Sequence, residues 1–191
     1  MALSWHVDYW DYIGWKDTFA SPAYTARQRA YARAQRERMI YTPQAMVNGR
    51  VHMNGGAGQK IGTALAAFGS GSDTALNVPV DLVREGGDVR LKLDAMNHTS
   101  TGKYMMSVVR FEKSAAVEIS RGENTGRTIE YHNIVREVRP MAMWEGKSID
   151  VALPGDLVGG LDDNMGLAVL VQSVKGDGDP GHIVGAAQLL N

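Results

Sequence analysis

The segment YTPQAMVNGRVHMNG, residues 41–55, contains the clearest turn signal in the chain. Two short apolar runs lie on either side of Asn48-Gly49, and a threonine-proline pair precedes the first of them. Asn-Gly between two short strands is typical of a tight two-residue hairpin turn, because both residues tolerate positive φ. A proline at the start of a strand can lack its amide donor without breaking the ladder. We therefore predict a β-hairpin that pairs Gln44–Val47 with Arg50–Met53.

Two helices and two further strands surround this hairpin. Ser21-Pro22 is a helix start, with a capping side chain and a proline in the first turn, and predicts a helix to about Gln35. Apolar residues at spacings of four and three predict a second helix over Ala57–Phe68. Apolar runs predict buried strands over Ala2–Val7 and Met39–Thr42. The first region is therefore expected to have the order strand, helix, strand, hairpin strand, helix.

The chain changes character at GSGSD, Gly69–Asp73, which predicts a flexible joint. We place a domain boundary there, with one domain over residues 1–70 and a second over residues 71–191. Beyond the joint, short alternating runs separated by Gly, Asn and Asp turns are typical of an antiparallel β-sandwich, so the predicted class is α+β. The eight predicted strands are Leu76–Val83, Val89–Ala95, Lys103–Glu112, Ala116–Ile119, Thr128–Val138, Ser148–Leu153, Gly166–Val174 and His182–Leu189.

Composition excludes several classes of function. The 191 residues are 44% hydrophobic and 21% charged, and the net charge of −1 gives no argument for nucleic acid or an anionic membrane as partner. Without cysteine, the chain has no disulfide, thiolate metal ligand or cysteine nucleophile of its own. The five histidines lack metal-ligand spacing, and no P-loop, dinucleotide fingerprint or Ser-His-Asp arrangement is present. We predict no metal, no cofactor and no membrane span.

The first candidate substrate-binding residues are Thr42, Pro43 and Gln44. If the peptide bond before Pro43 is cis, the preceding backbone is exposed and can pair with an extended peptide or a mixed-disulfide substrate. The alternative is a proline that merely opens a strand. The hairpin pattern around Pro43 favours the first geometry.

An aromatic loop supplies the second candidate site. Three of the four tryptophans lie between Trp5 and Trp15, interleaved with acidic residues, so Trp10 and Asp8 can line a groove for a peptide or a sugar. The alternative is an aromatic cluster packed under a long loop. Asp8 directly follows a predicted strand and would suit a proton carrier for buried thiols, a role that depends on thiols this sequence does not contain.

The segment RGENTGRT, residues 121–128, is the third candidate. Its glycines and Asn124 predict a turn. Arg121, Glu123 and Arg127 either recognise a carboxylate or form an ion-pair clamp that holds two strands together, and the clamp is the favoured interpretation.

Three segments carry a resemblance to a known family: SWHVDYWDYIGWKDTFASPAYTARQRAYA (residues 4–32), YTPQAMVNGR (41–50) and RGENTGRTIEYHNIVRE (121–137). Through them the chain resembles the secreted, thioredoxin-like bacterial family known as domain of unknown function 1223, from about Ala2 to the C-terminus. The resemblance implies a thioredoxin-like domain followed by a β-rich domain, exported to the periplasm. It also implies that Thr42-Pro43-Gln44 lies where that fold has a proline facing the active-site cysteines.

The sequence departs from this family at its start. Members begin with a signal peptide, then a strand and a helix carrying a Cys-x-x-Cys-type motif, whereas this sequence starts after those elements and is cytoplasmic as written. The resemblance implies that the absent strand lies in mid-sheet, between Leu3–Val7 and Met39–Thr42. Either Met1 is an internal methionine mistaken for a start, which we favour, or the sequence is a decayed remnant.

Two functions follow as expectations. The parent protein exchanges disulfides or binds thiols, with Thr42-Pro43 positioning a mixed intermediate, while this chain alone is redox-inactive because it has no cysteine. Its partner would be a peptide or protein that carries a thiol or disulfide. The alternative is a non-catalytic module that binds a peptide, a glycan or a partner protein through the aromatic loop and the sandwich.

Overall fold

The chain is a mixed α+β protein in the computed structural model, which describes residues 1–69, 76–96 and 102–190. Within these ranges it has three α-helices, and its β-strands form three antiparallel sheets, as the predicted α+β class requires. A short 3-10 helix, Asp11–Ile13, lies in the aromatic loop. The helices are α1 (Pro22–Ala34), α2 (Gly58–Ala67) and α3 (Gly155–Val158), and the strands are β1 (Gln44–Val47), β2 (Val51–Asn54), β3 (Val80–Glu85), β4 (Asp88–Leu93), β5 (Lys103–Glu118), β6 (Thr128–Trp144), β7 (Ile149–Ala152), β8 (Met165–Val174) and β9 (Pro180–Leu190).

Two of the sheets share one hydrophobic core. One has the strand order β3-β4-β7 and the other the order β6-β5-β8-β9. Leu91 from the first sheet and Val108 and Val169 from the second are almost completely buried in the same cluster. The sheets are also linked at one side, where the N–H of Val78 donates to the carbonyl of Val184 at 2.9 Å.

The N-terminal region covers the other face of the four-stranded sheet. Alternate residues of the run Leu167–Val171 in β8 belong to two different buried clusters, one on each face of the sheet. Tyr24 of α1 is part of the second cluster, and Leu3 and Trp5 pack against it. β8 is therefore covered on both sides, which explains why the run Leu167–Val171 contains no polar residue.

Both predicted helices are present. Ser21 caps α1 by accepting the N–H of Ala23 at 3.3 Å, and α1 ends at Ala34, one residue before the predicted end. α2 lies against the β1–β2 hairpin. No residue of α2 is fully buried, and Leu65, which belongs to the predicted inward face, is 57% exposed.

The predicted hairpin is present with a different turn. Val47 pairs with Val51, so the three residues Asn48–Arg50 connect the strands instead of the two predicted. Asn48 and Gly49 both have positive φ, 49° and 65°, as the Asn-Gly signal requires. The turn is held by a distant strand, because the N–H of Ile183 in β9 donates to the carbonyl of Asn48 at 2.9 Å.

The strand predicted over Ala2–Val7 is not a regular strand. It makes one parallel bridge, between Ser4 and Ile134 of β6, in which the N–H of Ser4 donates to the carbonyl of Asn133 at 2.8 Å. Beyond this bridge the backbone bonds to the start of α1 instead of a neighbouring strand, since the carbonyl of His6 accepts the N–H of Ser21 at 3.1 Å.

The strand predicted over Met39–Thr42 is also absent. Met39 is 80% exposed, and side chains from other elements hold the rest of the segment. The carbonyl of Tyr41 accepts a hydrogen bond from Gln28, and the hydroxyl of Thr42 accepts one from Trp10. Among the described residues, Met39–Thr42 and Ala2–Val7 do not pair with each other as strands.

The predicted strands Lys103–Glu112 and Ala116–Ile119 form the single strand β5, which pairs with β6 as far as Glu118 and Thr128. The residues between them, Lys113-Ser114-Ala115, include no glycine, proline or asparagine that would end a strand. The described part of the second region therefore has one strand fewer than predicted. The predicted domain boundary between residues 70 and 71 and all of the predicted joint after Gly69 lie outside the described residues.

Candidate functional site

Hydrogen bonds anchor both ends of the aromatic loop, residues 8–17. At one end the hydroxyl of Thr25 donates to the carboxylate of Asp8 at 2.5 Å, and the N–H of Asp8 donates back to that hydroxyl at 3.2 Å. At the other end the carboxylate of Asp17 bonds the imidazole Nδ1 of His6 at 2.6 Å. The N–H of Asp17 also donates to Asp11 at 3.2 Å. These acidic side chains brace the loop, and Asp8 is engaged by α1.

Trp10 connects the aromatic loop with the hairpin entrance. Its indole N–H donates to the hydroxyl of Thr42 at 2.7 Å, while 48% of the side chain remains exposed. The ring of Tyr9 packs against it with centroids 5.4 Å apart. The Thr42-Pro43 peptide bond is cis, and β1 begins directly after it. The structure thus brings together Trp10 and Thr42, which lie far apart in the sequence.

Gln28, which was not predicted from the sequence, braces the same segment from α1. Its amide donates to the carbonyl of Tyr41 at 2.8 Å and to the side-chain oxygen of Gln44 at 3.0 Å. Gln44 is therefore engaged by α1. The available signal was spacing, since Gln28 follows Tyr24 by four residues and precedes Tyr31 by three on the inward face of the helix.

An open cleft of about 430 Å³ lies between the aromatic loop and the tip of the β5–β6 hairpin. The two sides approach closely, since a Cβ placed on Gly14 would lie 3.8 Å from the backbone nitrogen of Gly122. Trp10 of the second candidate site and Arg121, Glu123 and Asn124 of the third therefore line one cleft, whereas Asp8 and Arg127 do not. The cleft is lined by Trp10, Ile13 and Trp15 on one side and by Ile119, Arg121, Gly122, Glu123, Asn124, Ile129 and Tyr131 on the other.

The turn at residues 121–127 is closed by its backbone. The N–H of Gly126 donates to the carbonyl of Ile119 at 2.8 Å, and the N–H of Ile119 donates to the carbonyl of Arg127 at 2.9 Å. Within the described residues, Arg121, Glu123 and Arg127 take part in no ion pair, and all three are exposed. An ion-pair clamp between the strands is therefore not formed by these side chains in the structure.

Tyr131 forms the inner wall of the cleft. Its ring contacts the imidazole of His6 with centroids 4.8 Å apart and lies 6.1 Å from the ring of Phe19. Burial raises the pKa of the Tyr131 phenol, and the carboxylate of Asp17 raises it further. The Tyr131 hydroxyl therefore stays protonated at neutral pH and can donate a hydrogen bond.

Within residues 1–69, 76–96 and 102–190, no three His, Asp or Glu side chains are grouped so that they could hold a metal ion. Over the same part of the chain, no helix combines the length and the apolar character that crossing a membrane requires. The described chemistry of the site therefore consists of aromatic surface, hydrogen-bonding groups and the two charges of Arg121 and Glu123.

Comparison with known proteins gives a family and a solved relative. The family model described as Protein of unknown function (DUF1223) matches residues 1–172. The X-ray crystal structure of a protein from Agrobacterium tumefaciens, a structural genomics target, is similar with a TM-score of 0.85 and 37% sequence identity. The match covers 98% of this chain and 79% of that one. No curated protein matches the chain.

Proposed function

This chain belongs to the family described as Protein of unknown function (DUF1223), and we propose that it is a polypeptide-binding module whose first part is thioredoxin-like. The extended polypeptide pairs with the outer edge of β1, directly after Thr42-Pro43. The chain binds this ligand but does not exchange disulfides by itself. On the family resemblance we place this activity in the periplasm.

The order of the elements supports the architectural part of the proposal. α1, the β1–β2 hairpin preceded by Thr42-Pro43, and α2 follow one another as in the second half of a thioredoxin-like fold. The two larger antiparallel sheets share a buried core, which supports a β-sandwich assignment for the rest of the chain.

The hydrogen bond from Trp10 to Thr42 beside the edge of β1 is the observation that carries the proposal. Within the described residues β1 pairs only with β2, so its other edge offers backbone N–H and C=O groups to an added strand. Trp10 is held by Thr42, just before β1 begins at Gln44, and remains 48% exposed. A polypeptide strand there would gain backbone hydrogen bonds from β1 and apolar contact from the indole.

Hydrogen exchange of the chain, with and without a carboxymethylated and permanently unfolded polypeptide, tests this site. We expect the ligand to slow exchange at the amides of Gln44–Val47 that face the open edge, because strand addition places them in a ladder. Slower exchange elsewhere with none in β1, or no binding at millimolar ligand, would contradict the proposal.

A matched pair of variants separates Trp10 from its neighbours. Trp10→Phe keeps an aromatic ring but removes the donor to Thr42, and we expect it to weaken polypeptide binding about threefold to tenfold, because binding must then order a ring that this bond no longer holds. Tyr12→Phe changes a ring in the same loop that is 82% exposed, and should leave binding unchanged. Equal effects of the two substitutions would contradict a specific role for Trp10.

The redox part of the proposal follows from chemistry. Disulfide exchange requires a thiolate that attacks a sulfur atom, and these 191 residues contain no cysteine. A thiolate would have to be supplied from outside this sequence. In an insulin-reduction assay with dithiothreitol, we expect the chain to add nothing to the rate of the reductant alone, and a catalysed rate would refute this expectation.

A further inference from the structure

The cleft between the aromatic loop and the β5–β6 hairpin shares Trp10 with the site proposed at the β1 edge, and none of its other lining residues is part of that site. Its volume of about 430 Å³ lies in the range of small-ligand sites, about 300–1,000 Å³. Its polar side chains come from one turn, Arg121, Glu123 and Asn124, and its remaining walls are mainly aromatic and aliphatic. This composition restricts the class of ligand that fits.

The charges in the cleft balance one another without being paired. Arg121 and Glu123 are two residues apart, both are exposed, and in the described part of the chain neither takes part in an ion pair. An anionic ligand attracted by Arg121 would be repelled by Glu123, and a cationic ligand would meet the reverse. A neutral ligand with many hydroxyl groups avoids both penalties, because it donates to Glu123 and accepts from Arg121 and Asn124.

The aromatic walls are held in place before a ligand binds. Trp10 is fixed by its hydrogen bond to Thr42, and Tyr131 is packed against His6. The C–H faces of sugar rings are apolar and pack well on aromatic faces. Because these walls are already ordered, little side-chain entropy is lost when a ring packs on them.

We infer that this cleft binds a neutral oligosaccharide, with sugar rings packed on Trp10, Trp15 and Tyr131 and hydroxyl groups bonded to Arg121, Glu123 and Asn124. Apart from Trp10, this site and the polypeptide site at the edge of β1 use different residues, so Arg121 and Glu123 test it separately. The polar groups of the cleft are side chains of a turn, which can bond the hydroxyl groups of a sugar. An extended peptide would instead require a regular row of backbone N–H and C=O groups.

Titration with neutral oligosaccharides tests the inference. The probes are maltotetraose, cellotetraose and tri-N-acetylchitotriose, followed by tryptophan fluorescence and by amide chemical shifts. We expect at least one probe to bind saturably and to shift the amides of Arg121, Glu123 and Asn124. If none binds at 10 mM, roughly the weakest Kd expected of a functional site of this size, the inference is overturned.

Two exposed residues of the turn and one exposed residue of the aromatic loop provide variants that should fold normally. Arg121→Gln and Glu123→Gln should each weaken binding about tenfold, because each removes a hydrogen bond made by a charged group. Lys16→Gln is the matched control, since Lys16 is an exposed cation of the aromatic loop that does not line the cleft, and it should leave binding unchanged. Binding that is insensitive to Arg121→Gln and Glu123→Gln would overturn the inference.

Charged oligosaccharides test the balance of charge directly. Chitosan oligomers are cationic and oligogalacturonates are anionic, and both should bind the unmodified chain more weakly than the neutral probe. Arg121→Gln should improve binding of the cation and Glu123→Gln binding of the anion, because each leaves one charge unopposed. If instead the unfolded polypeptide shifts the cleft amides and no oligosaccharide does, the cleft is a peptide site and the inference fails.

Discussion

Gly49 combines two requirements that each exclude a larger residue. Its φ is +65°, in the left-handed region where other residues lose about 1–2 kcal/mol. A Cβ at this position would lie 2.5 Å from the carbonyl oxygen of Gly181, well inside van der Waals contact. The sequence predicted the first requirement from Asn48-Gly49, but the second comes from β9, a strand that is distant in the sequence.

Replacement of Gly49 by alanine should lower the free energy of unfolding by about 2–4 kcal/mol, since the strained φ adds to the cost of crowding the Gly181 carbonyl. Urea unfolding followed by tryptophan fluorescence measures this loss. Gly86→Ala is the matched control, because Gly86 has a φ of +62° and, among the described residues, no neighbour within 4 Å of an added Cβ, and it should lose only about 1–2 kcal/mol. Equal losses would show that the contact with Gly181 contributes nothing.

At the residue scale the sequence predicted which side chains are candidates but not which partners they have. Trp10 and Thr42 were both expected to line a site, yet their hydrogen bond joins two segments that no local pattern connects. Asp8 was also a candidate, and no local pattern indicated that the hydroxyl of Thr25 holds its carboxylate. Gln28 was missed because a glutamine on a helix usually faces solvent, and only its place between two inward tyrosines indicates otherwise.

At the scale of elements, a polar network attaches α1 to the β8–β9 hairpin. Gln172 is only 8% exposed, and its amide donates to the hydroxyl of Tyr31 at 2.6 Å and to the carbonyl of Gly181 at 2.8 Å. The guanidinium of Arg27 donates to the Gln172 oxygen at 3.1 Å and lies over the ring of Trp5, 4.7 Å from its centroid. One buried glutamine of β8 therefore connects α1 with β9.

Gln172→Leu should lower the free energy of unfolding by about 2–4 kcal/mol, because it leaves the Tyr31 hydroxyl and the Gly181 carbonyl buried without this partner. The control is Arg33→Gln, which removes the ion pair of α1 with Asp179; Arg33 is 63% exposed, so the loss should be below about 1 kcal/mol. Thermal and urea unfolding measure both variants. A loss for Gln172→Leu no larger than that of the control would contradict the role assigned to this network.

Elements with a local signal were predicted well, and elements that depend on distant partners were not. The cap at Ser21 and the alternation along β4 are local, and both elements lie close to their predicted positions. Ala2–Val7 has an apolar sequence but only one bridge, to Ile134 of β6, and beyond it the carbonyl of His6 bonds the start of α1. β5 runs through its predicted break because β6 pairs with it along its whole length.

At the scale of the whole molecule, the four-stranded sheet is a middle layer. Its two faces contribute to separate buried clusters, one shared with the sheet of β3, β4 and β7 and one shared with the N-terminal region. Phe111 and Val135 are each 1% exposed beneath that region. The apolar run Leu167–Val171 already indicated a strand covered on both faces, but it did not indicate that the N-terminal region is one of the covers.

We expect this arrangement to make the chain unfold as one cooperative unit, although the sequence predicts domains at residues 1–70 and 71–191. Loss of the N-terminal cover would expose Phe111, Val135 and Leu170, and burial of each such side chain contributes about 1.5–3 kcal/mol against a typical total of about 5–15 kcal/mol.

Native-state hydrogen exchange in increasing urea measures this coupling in the intact chain, through the amides of α1 and β8. Because α1 covers the sheet that contains β8, the most protected amides of both elements should open with the same free energy and the same dependence on urea. Far-UV circular dichroism and tryptophan fluorescence should give one coincident transition. If α1 opens at markedly lower urea while β8 stays protected, the two regions are independent, as the predicted boundary requires.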